Sequence, residues 1–349
     1  MYHLRLKGDH YQMGVKRGTI FQKAHISFPL HLDDFQLKHG KESEKILKEF
    51  FPEVCEEIRG VSGTIGADYS YFASWMLCMG CCMYNLEENI PVEIRGCTAF
   101  AYSKDGRVIY GRNNDLPPYL REGSKSELYS PENGNRFIIT TSSFINGEEG
   151  INEHGVAVAM TFVMTRLEKI KAGFNSCFIV RYLLEKAGST TEAISLLMEL
   201  PVASNCNILL ADRSGNMVVA ECTPTIKQIR KAEIFGCGNI VCTVNSFPTN
   251  EMRKYDDANG NDYDSAKRYS VVLDSFVNCI KGDLIETTKH LLKGDYGFMC
   301  QYDDEPDFET VWSSIFDLNS LVIYRAEGDP RRKKFITDDR LHKCVSKAP

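Results

Sequence analysis

The stretch GCTAFAYSKDGRVIYGRNNDLPP places a cysteine directly after Gly96 and closes on the polar cluster Arg112-Asn113-Asn114-Asp115. Between them, Asp105-Gly106 is a two-residue hairpin signal, because the central positions of such a turn need positive φ. Pairing outward from Lys104 and Arg107 sets Cys97 opposite Asn114. Strand side chains alternate, so Arg112 shares a face with Asn114 and lies diagonal to the cysteine. A thiol beside a fixed positive charge is held toward its thiolate and becomes a competent nucleophile. Strict alternation turns Asp115 to the other face, unless the strand ends or bulges ahead of Pro117-Pro118.

A cysteine nucleophile commonly hands its proton to a histidine. The eight histidines here, His3, His10, His25, His31, His39, His154, His290 and His342, form no Cys-His protease signature. His154 is the only one within the β-rich part, and Gly155 after it reads as a surface turn. A second source of base exists. Were the bond between Gly96 and Cys97 cut, the new α-amino group, with an ordinary pKa of about 7.7–8.0, would reach its own thiol. Gly96 suits such a cut, since no Cβ obstructs the approach of sulfur to its carbonyl. A buried structural cysteine is the competing reading.

The elements that must position these groups fall into two styles. Up to about residue 90 the chain reads as mostly helical, with apolar residues at three- and four-residue intervals in DHYQMGVKRGTIFQKAHISFPLHLDDF and KESEKILKEFFPEVCEEIRGVSGTIG, and a more buried helix from Ser70 to Tyr84. On the second of these, Glu57 and Arg59 read as a solvated face, with pairing to the core as the alternative. After Arg95 come short β-rich runs, among them CTAFAYS, RVIYGRN, RFIITTSS, GVAVAMTFV, CNILLADRSGNMVVAE and NIVCTVNSF, separated by turn signals. Helices are expected at Phe174 to Ala187, at Thr190 to Leu200 with Thr190 or Thr191 as cap, at Asp264 to Ile280 and at Asp283 to Leu292. Two last strands are expected at Thr310 to Asp317 and Ser320 to Arg325. Hairpins beside grouped helices imply a layered α+β architecture, and the absence of repeats or low-complexity linkers implies one domain.

With 349 residues, 43% hydrophobic and 25% charged, the chain has the make-up of a soluble globular protein. A net charge of −6 excludes an overall positive field for nucleic acid or anionic lipid. The cluster Arg331, Arg332, Lys333, Lys334 reads as a solvated turn. The N-terminus has no secretory pattern, and the stretch Tyr69 to Leu86 is too interrupted for a membrane span, so a cytoplasmic location is expected. Thirteen cysteines, an odd number spread along the chain, fit free thiols in a reducing compartment. CMGCC, residues 78–82, has the first half of a metal motif but no second pair at ligand spacing and no histidine near, and reads as a buried helix with small thiols; no metal is expected. Cys237 and Cys242 read as core packing. GCGN, residues 236–239, is too short for a phosphate loop, and no Walker or GxGxxG pattern appears, so no cofactor is implied.

GCTAFAYSKDGRVIYGRNND resembles the start of the mature chain in the choloylglycine hydrolase and penicillin V acylase group, and GINEHGVAVA resembles that group's next motif. The leading segments GDHYQMGVKRG and FPEVCEEIRGVSGTIGADYS resemble the prosegment of isopenicillin N acyltransferase (acyl-coenzyme A:6-aminopenicillanic acid acyltransferase). The resemblance implies an N-terminal-nucleophile hydrolase with a four-layer αββα sandwich, activated by self-cleavage between Gly96 and Cys97 into a helical prosegment, 1–96, and a catalytic part, 97–349. By position it implies Cys97 as nucleophile, Arg112 and Asp115 as residues that set and orient its charge, Asn245 of CTVNSFP as oxyanion donor, and Arg268 of YDSAKRYS as a further active-site arginine. A side-chain amide in that place fits the physics, being worth roughly 3–4 kcal/mol to a developing oxyanion. Three departures stand out. Phe162 occupies the place where the bile-salt enzymes carry an asparagine, ETVWSSIF offers Thr310, Ser313 and Ser314 without the acyltransferase's late arginine, and the acyltransferase has no arginine at the counterpart of Arg112.

The expected activity is therefore self-processing, followed by hydrolysis or transfer at linear amides through a Cys97 thioester. The partners expected are a small amide or acyl substrate, acyl-coenzyme A among the candidates, and cleaved chains that stay associated; a homo-oligomer is left open. Phe162, Tyr119 and Trp312 are candidates to line an acyl pocket, though aromatic residues more often form plain core. Two other readings stay open: a thiol-bearing binding or redox protein on the same fold without cleavage, and a metal-binding regulator built on the helical part.

Overall fold

The computed structural model describes residues 1–347 apart from 26–27, 29–30, 83, 86–89, 92–95, 237, 258–263, 279–281, 301 and 304–307. The chain opens with a strand, β1 (Tyr2–Gly8), and four helices, α1 (His10–Lys23), α2 (Asp34–Phe50), α3 (Pro52–Ile65) and α4 (Tyr69–Cys78). A short pairing of β2 (Tyr84–Asn85) with β3 (Ile90–Pro91) precedes the hairpin β4 (Gly96–Lys104) and β5 (Arg107–Leu116). Next come α5 (Tyr119–Gly123), β6 (Lys125–Pro131), β7 (Phe137–Thr141), β8 (Glu149–Asn152) and β9 (Val156–Phe162). Helices α6 (Ser176–Lys186) and α7 (Thr190–Glu199) lead to β10 (Cys206–Asp212), β11 (Met217–Cys222), β12 (Lys227–Lys231), β13 (Glu233–Phe235) and β14 (Gly238–Thr243). The last part holds α8 (Asn250–Arg253), α9 (Ser265–Asn278), α10 (Leu284–Lys293), β15 (Tyr302–Asp303), β16 (Phe308–Asp317), β17 (Val322–Ala326), β18 (Ile336–Asp338) and α11 (Arg340–Val345).

Two eight-stranded sheets stack face to face, one ordered β1-β6-β7-β8-β9-β10-β11-β12, the other β13-β14-β4-β5-β16-β17-β18 with β15 on β16. Strand alternation builds the layers. Ala99 and Ala101 of β4 meet Ala157, Ala159, Leu209 and Ala211 between the sheets, where small side chains allow close approach. Phe100 and Tyr102 point the other way, into the layer formed by α9 and α10, with Tyr102 stacked on Phe276 at 4.4 Å between centroids. Helices α1, α3, α4, α6 and α7 cover the outer face of the first sheet. The result is the expected αββα sandwich.

The leading helices do not sit apart from the sheets. Strand β1 pairs in parallel with β6, Leu4 beside Glu127 and Leu6 beside Tyr129. A fully buried charge network then crosses from helix to sheet. Arg17 of α1 grips Glu127 of β6 through two hydrogen bonds of 2.7 and 2.5 Å, and Arg181 of α6 donates to Glu57 of α3 at 2.9 Å and to Glu185 at 3.0 Å. Tyr129 Oη donates to Glu57 at 2.9 Å, and His10 reaches Glu185 at 2.8 Å. Buried charges of this kind are tolerated only when paired, and removing one partner costs about 3–5 kcal/mol.

Several expectations shift. Residues 2–8 form a strand because an open sheet edge is available to them, which no local pattern announces. Glu57 is no solvated residue but one of the acceptors in that network, as the alternative had it, whereas Arg59 stays half exposed. The buried fourth helix stops at Cys78, so Tyr84 lies outside it. The cap of α7 is Ser189, one residue ahead of the expected threonines. Cys242 is buried as expected, while Cys237 lies outside the described residues. The Arg331–Lys334 cluster is exposed, and Asp329 pairs with its first two members. Among the described residues no helix is long and apolar enough to cross a membrane.

Helices α1 and α3 touch backbone to backbone: a Cβ on Gly60 would overlap the carbonyl oxygen of Tyr11, and one on Gly14 that of Glu57. Gly63, on the exposed side of α3, has open space around it. Gly60→Ala is therefore expected to lower stability by about 1–3 kcal/mol through overpacking. Gly63→Ala is expected to raise it by up to about 1 kcal/mol through helix propensity. Urea midpoints of the two variants read the opposite signs directly.

Candidate active site

The hairpin register is the one that the sequence implies. Asp105 and Gly106 both take positive φ, 51° and 77°, Lys104 faces Arg107, and Cys97 faces Asn114. The thiol and the guanidinium meet: Arg112 Nη2 lies 3.2 Å from Cys97 Sγ. Asn114 Oδ1 binds both, accepting from Arg112 Nη2 at 2.5 Å and Nε at 3.1 Å and from the Cys97 thiol at 3.3 Å. The remaining guanidinium nitrogen, Nη1, donates to the Met160 carbonyl at the end of β9, so the opposite sheet fixes the plane of the group. Burial opposes the charge on Arg112, yet Cys97, Tyr110, Glu149 and Glu148 together hold its pKa above the usual arginine value. A permanent cation thus stands against the sulfur.

The backbone of residue 97 is gripped from two further elements. Asn245, two residues beyond β14, accepts the Cys97 N–H through Oδ1 at 2.6 Å and donates from Nδ2 to the Phe162 carbonyl at 3.0 Å. Arg268 of α9 donates to the Cys97 carbonyl at 2.6 Å, to Thr98 Oγ1 at 2.8 Å and to Asn245 Oδ1 at 3.0 Å. Two donors, the Cys97 N–H and Arg268, dictate which end of the amide faces them. Asn245 is therefore a holder of the nitrogen of residue 97 in the uncut chain, and its own donor is engaged elsewhere. In a cut chain that peptide N–H would be the α-amino group.

Strand β5 continues through Leu116, so Asp115 obeys alternation and points to the α9 side, away from the sulfur. It stands directly beside Gly96 in the β4–β5 register, and the partner strand β16 shifts register between Thr310 and Trp312. Asp115 Oδ1 accepts from Thr310 Oγ1 at 2.6 Å, while Oδ2 is buried with no hydrogen-bond partner among the described residues. Burial pushes its carboxyl up to about 6, against the pull of Arg268, Thr310 and Arg112.

Cys97, Arg112, Asn245 and Arg268 are thus brought together, with Asp115 beside Gly96 on the other face. The aromatic candidates divide. Trp312 is fully buried, faces Asn114 across β16 and β5, and donates from Nε1 to Glu149 at 2.9 Å. Phe162 packs its ring against the outer core of the first sheet, and its carbonyl is the part that reaches Asn245. Tyr119 is 65% exposed on α5, a helix end just past the double proline. His154 is exposed in a turn and bonds Asn135, as a surface histidine does. Sequence reasoning passed over Asn114, although the hairpin count set it opposite the cysteine. It also passed over Glu149 and Ser265, which accept from Trp312 and Arg268 and carry no local signal. A shallow cavity of about 270 Å³ at Lys104 to Gly106 lies at the far tip of the hairpin from the sulfur.

The model of the family described as acyl-coenzyme A:6-aminopenicillanic acid acyl-transferase matches residues 102–332. No curated protein matches the chain. Similar solved structures include penicillin V acylase from Agrobacterium tumefaciens, at 14% identity over 66% of this chain and 83% of that one, TM-score 0.43. A mutant of conjugated bile acid hydrolase from Clostridium perfringens is similar at 15% identity, 66% and 89% coverage, TM-score 0.44. An N-acylethanolamine-hydrolyzing acid amidase ortholog of Caenorhabditis elegans is similar at 13% identity, 64% and 93% coverage, TM-score 0.44.

Asp115 gives a stability test in a Cys97→Ala background. Its folded pKa of about 6 lies above the ordinary 3.8, so the folded chain keeps a proton that the unfolded chain has lost. The stabilising contribution of this group is whole below about pH 4 and is lost as pH rises through 6, by up to roughly 3 kcal/mol. Asp115→Asn removes that dependence: the difference in unfolding free energy between the two proteins should change across pH 4–7, and a constant difference contradicts the raised value.

Proposed function

Because the chain belongs to the acyl-coenzyme A:6-aminopenicillanic acid acyl-transferase family, we propose that it is a self-processing amidohydrolase or acyltransferase whose nucleophile is Cys97 at the head of a mature chain, 97–349. The observation that carries this reading is a buried thiol 3.2 Å from a paired guanidinium, on a residue whose N–H is held by Asn245 at 2.6 Å. Sulfur and nitrogen of one residue are each given a dedicated partner, which suits a nucleophile that carries its own base.

In the processing step, Cys97 Sγ attacks the Gly96 carbonyl carbon. The S–C bond forms, the C–N bond breaks, and the thiol proton ends on the Cys97 nitrogen, giving a thioester and a free amine. Water then opens the thioester, leaving a Gly96 carboxylate and the free thiol. Cys97 is only 2% exposed in the uncut chain, so release of this bond is also the event that can open a path to the sulfur.

In turnover, the thiolate, favoured by Arg112, attacks the carbonyl of a linear amide. The α-amino group passes a proton to the leaving amine, and the acyl group stays on sulfur as a thioester. The same amine then takes a proton from water, which yields the acid, or from a second amine, which yields a new amide. Arg268 and Asn245 hold the residue, and Asp115 provides the negative charge toward which the ammonium is drawn. For Asn245 to serve as oxyanion donor, Nδ2 has to leave the Phe162 carbonyl. Trp312, on the inner face near Asn114, is the aromatic best placed to touch an acyl group. The prosegment 1–96 stays docked through β1 and the buried charge network.

Edman sequencing of active protein should return a second sequence beginning Cys-Thr-Ala beside Met-Tyr-His, and mass spectrometry should show two chains. Cys97→Ala should stay a single chain and lose all amide turnover. Asn245→Ala should lower kcat by about 10²–10³ if the amide reaches the oxyanion. Active protein with Met-Tyr-His as its sole N-terminus refutes the scheme, and unchanged behaviour of Cys97→Ala points instead to a thiol-bearing binding protein. Fatty-acyl amino acids, penicillin V, conjugated bile acids and acyl-coenzyme A thioesters, offered to cleaved protein with and without an acceptor amine, sort the acyl group and separate hydrolysis from transfer.

A further inference from the structure

The CMGCC run is joined by a histidine that the sequence keeps 42 positions away from Cys81. Helix α4 ends at Cys78, and the turn after it brings Cys81 and Cys82 against His39 on the buried side of α2. A ring nitrogen of His39, Cys81 Sγ and Cys82 Sγ all lie within 4.8 Å of one another. His39 is 5% exposed, and the contacts of its Nε2 are long ones, 3.4 Å to Ser43 Oγ and 3.8 Å to Cys81 Sγ. A buried imidazole nitrogen with such weak partners is poorly satisfied.

Around a tetrahedral zinc ion, bond lengths of about 2.3 Å to sulfur and about 2.0–2.1 Å to nitrogen separate S from N by roughly 3.6 Å and S from S by roughly 3.8 Å. The 3.8 Å between Cys81 Sγ and His39 Nε2 is already close to that spacing. A fourth donor, a sulfur, stands alongside. The Cys78 thiol donates to the Gln36 carbonyl at 3.4 Å and also contacts the Cys82 thiol. The backbone that presents these donors is fixed: Gln36 holds the Cys82 carbonyl at 2.9 Å, and Asn175 ties down the carbonyls of Met76, Leu77 and Met79 at 2.9–3.2 Å.

We propose that His39, Cys81 and Cys82, completed by Cys78, form a binding site for a thiophilic divalent cation of the zinc class, separate from the catalytic thiol. Soft thiolates with one imidazole select zinc over magnesium or calcium, which take oxygen donors. Binding joins α2 to the turn after α4 and releases the thiol protons to solvent. The site needs neither cleavage nor an active Cys97, so it stands or falls independently of the proposed reaction.

The test uses the full chain, reduced, stripped with chelator and titrated anaerobically with cobalt(II) and then zinc(II). One equivalent of cobalt should bind with a thiolate-to-metal charge-transfer band that stoichiometric zinc bleaches, and zinc should raise the melting temperature. Cys81→Ser and His39→Gln should each lose the band or weaken binding at least tenfold, with circular dichroism unchanged, while Cys344→Ser, in α11, keeps it. If either site variant fails to fold, Cys82→Ser and the zinc-induced shift of the wild-type melting temperature still decide. Absence of stoichiometric cobalt and zinc in the reduced wild type, or an undiminished band in a folded site variant, overturns the proposal.

Discussion

A guanidinium sealed from water must find all of its acceptors inside the protein, and Arg112 finds them in three places at once: the Cys97 sulfur, Asn114 Oδ1 and the Met160 carbonyl. Two acceptors come from its own hairpin and one from the opposite sheet, so the group works as a pin between the two sheets. Its charge cannot be discarded, because arginine keeps its proton under any condition in which the fold exists. The position of the sulfur and the approach of the two sheets are therefore tied together by one side chain. Behind it, Arg268 performs a similar task on the other face of β4, holding the Cys97 carbonyl, Thr98 and Asn245.

The hairpin was legible because its determinants are local. The Asp105-Gly106 turn fixes the register, the register fixes Cys97 against Asn114, and alternation does the rest. For Asp115 alternation gave the far face, with a strand end or bulge ahead of Pro117-Pro118 as the alternative, and the strand runs on through Leu116. The helices were readable in position but not in their joints: Phe51-Pro52 separates α2 from α3, and Ser189 rather than a threonine caps α7. Long-range partners were not readable at all. Nothing near Glu57 announces Arg181, nothing near Tyr2 announces an open edge on β6, and nothing near Cys81 announces His39. Asn245 and Arg268 entered by resemblance, since their places depend on a strand end and a helix that only the folded sheet brings to residue 97.

The aromatic candidates show how type alone misleads. Trp312, Phe162 and Tyr119 were singled out together, yet one is sealed on the inner face, one packs on the outside of the first sheet, and one stands in solvent. Strand parity sorts the first two: Trp312 sits opposite Asn114, whereas Phe162 follows Met160 on the side that faces the helices. Buried position was predictable from hydrophobicity, while the choice of layer was not.

Strand β1 lies at the edge of a sheet whose remaining strands all follow residue 97. In an unbroken chain, the docking of β1 on β6 is an intramolecular event. In a chain severed ahead of Cys97 the same strand has to return by diffusion, together with Arg17 and Glu57, which meet partners on the far side of the break. Denaturation of such a protein would obey second-order kinetics on the way back, and its melting point would depend on how much protein is in the tube.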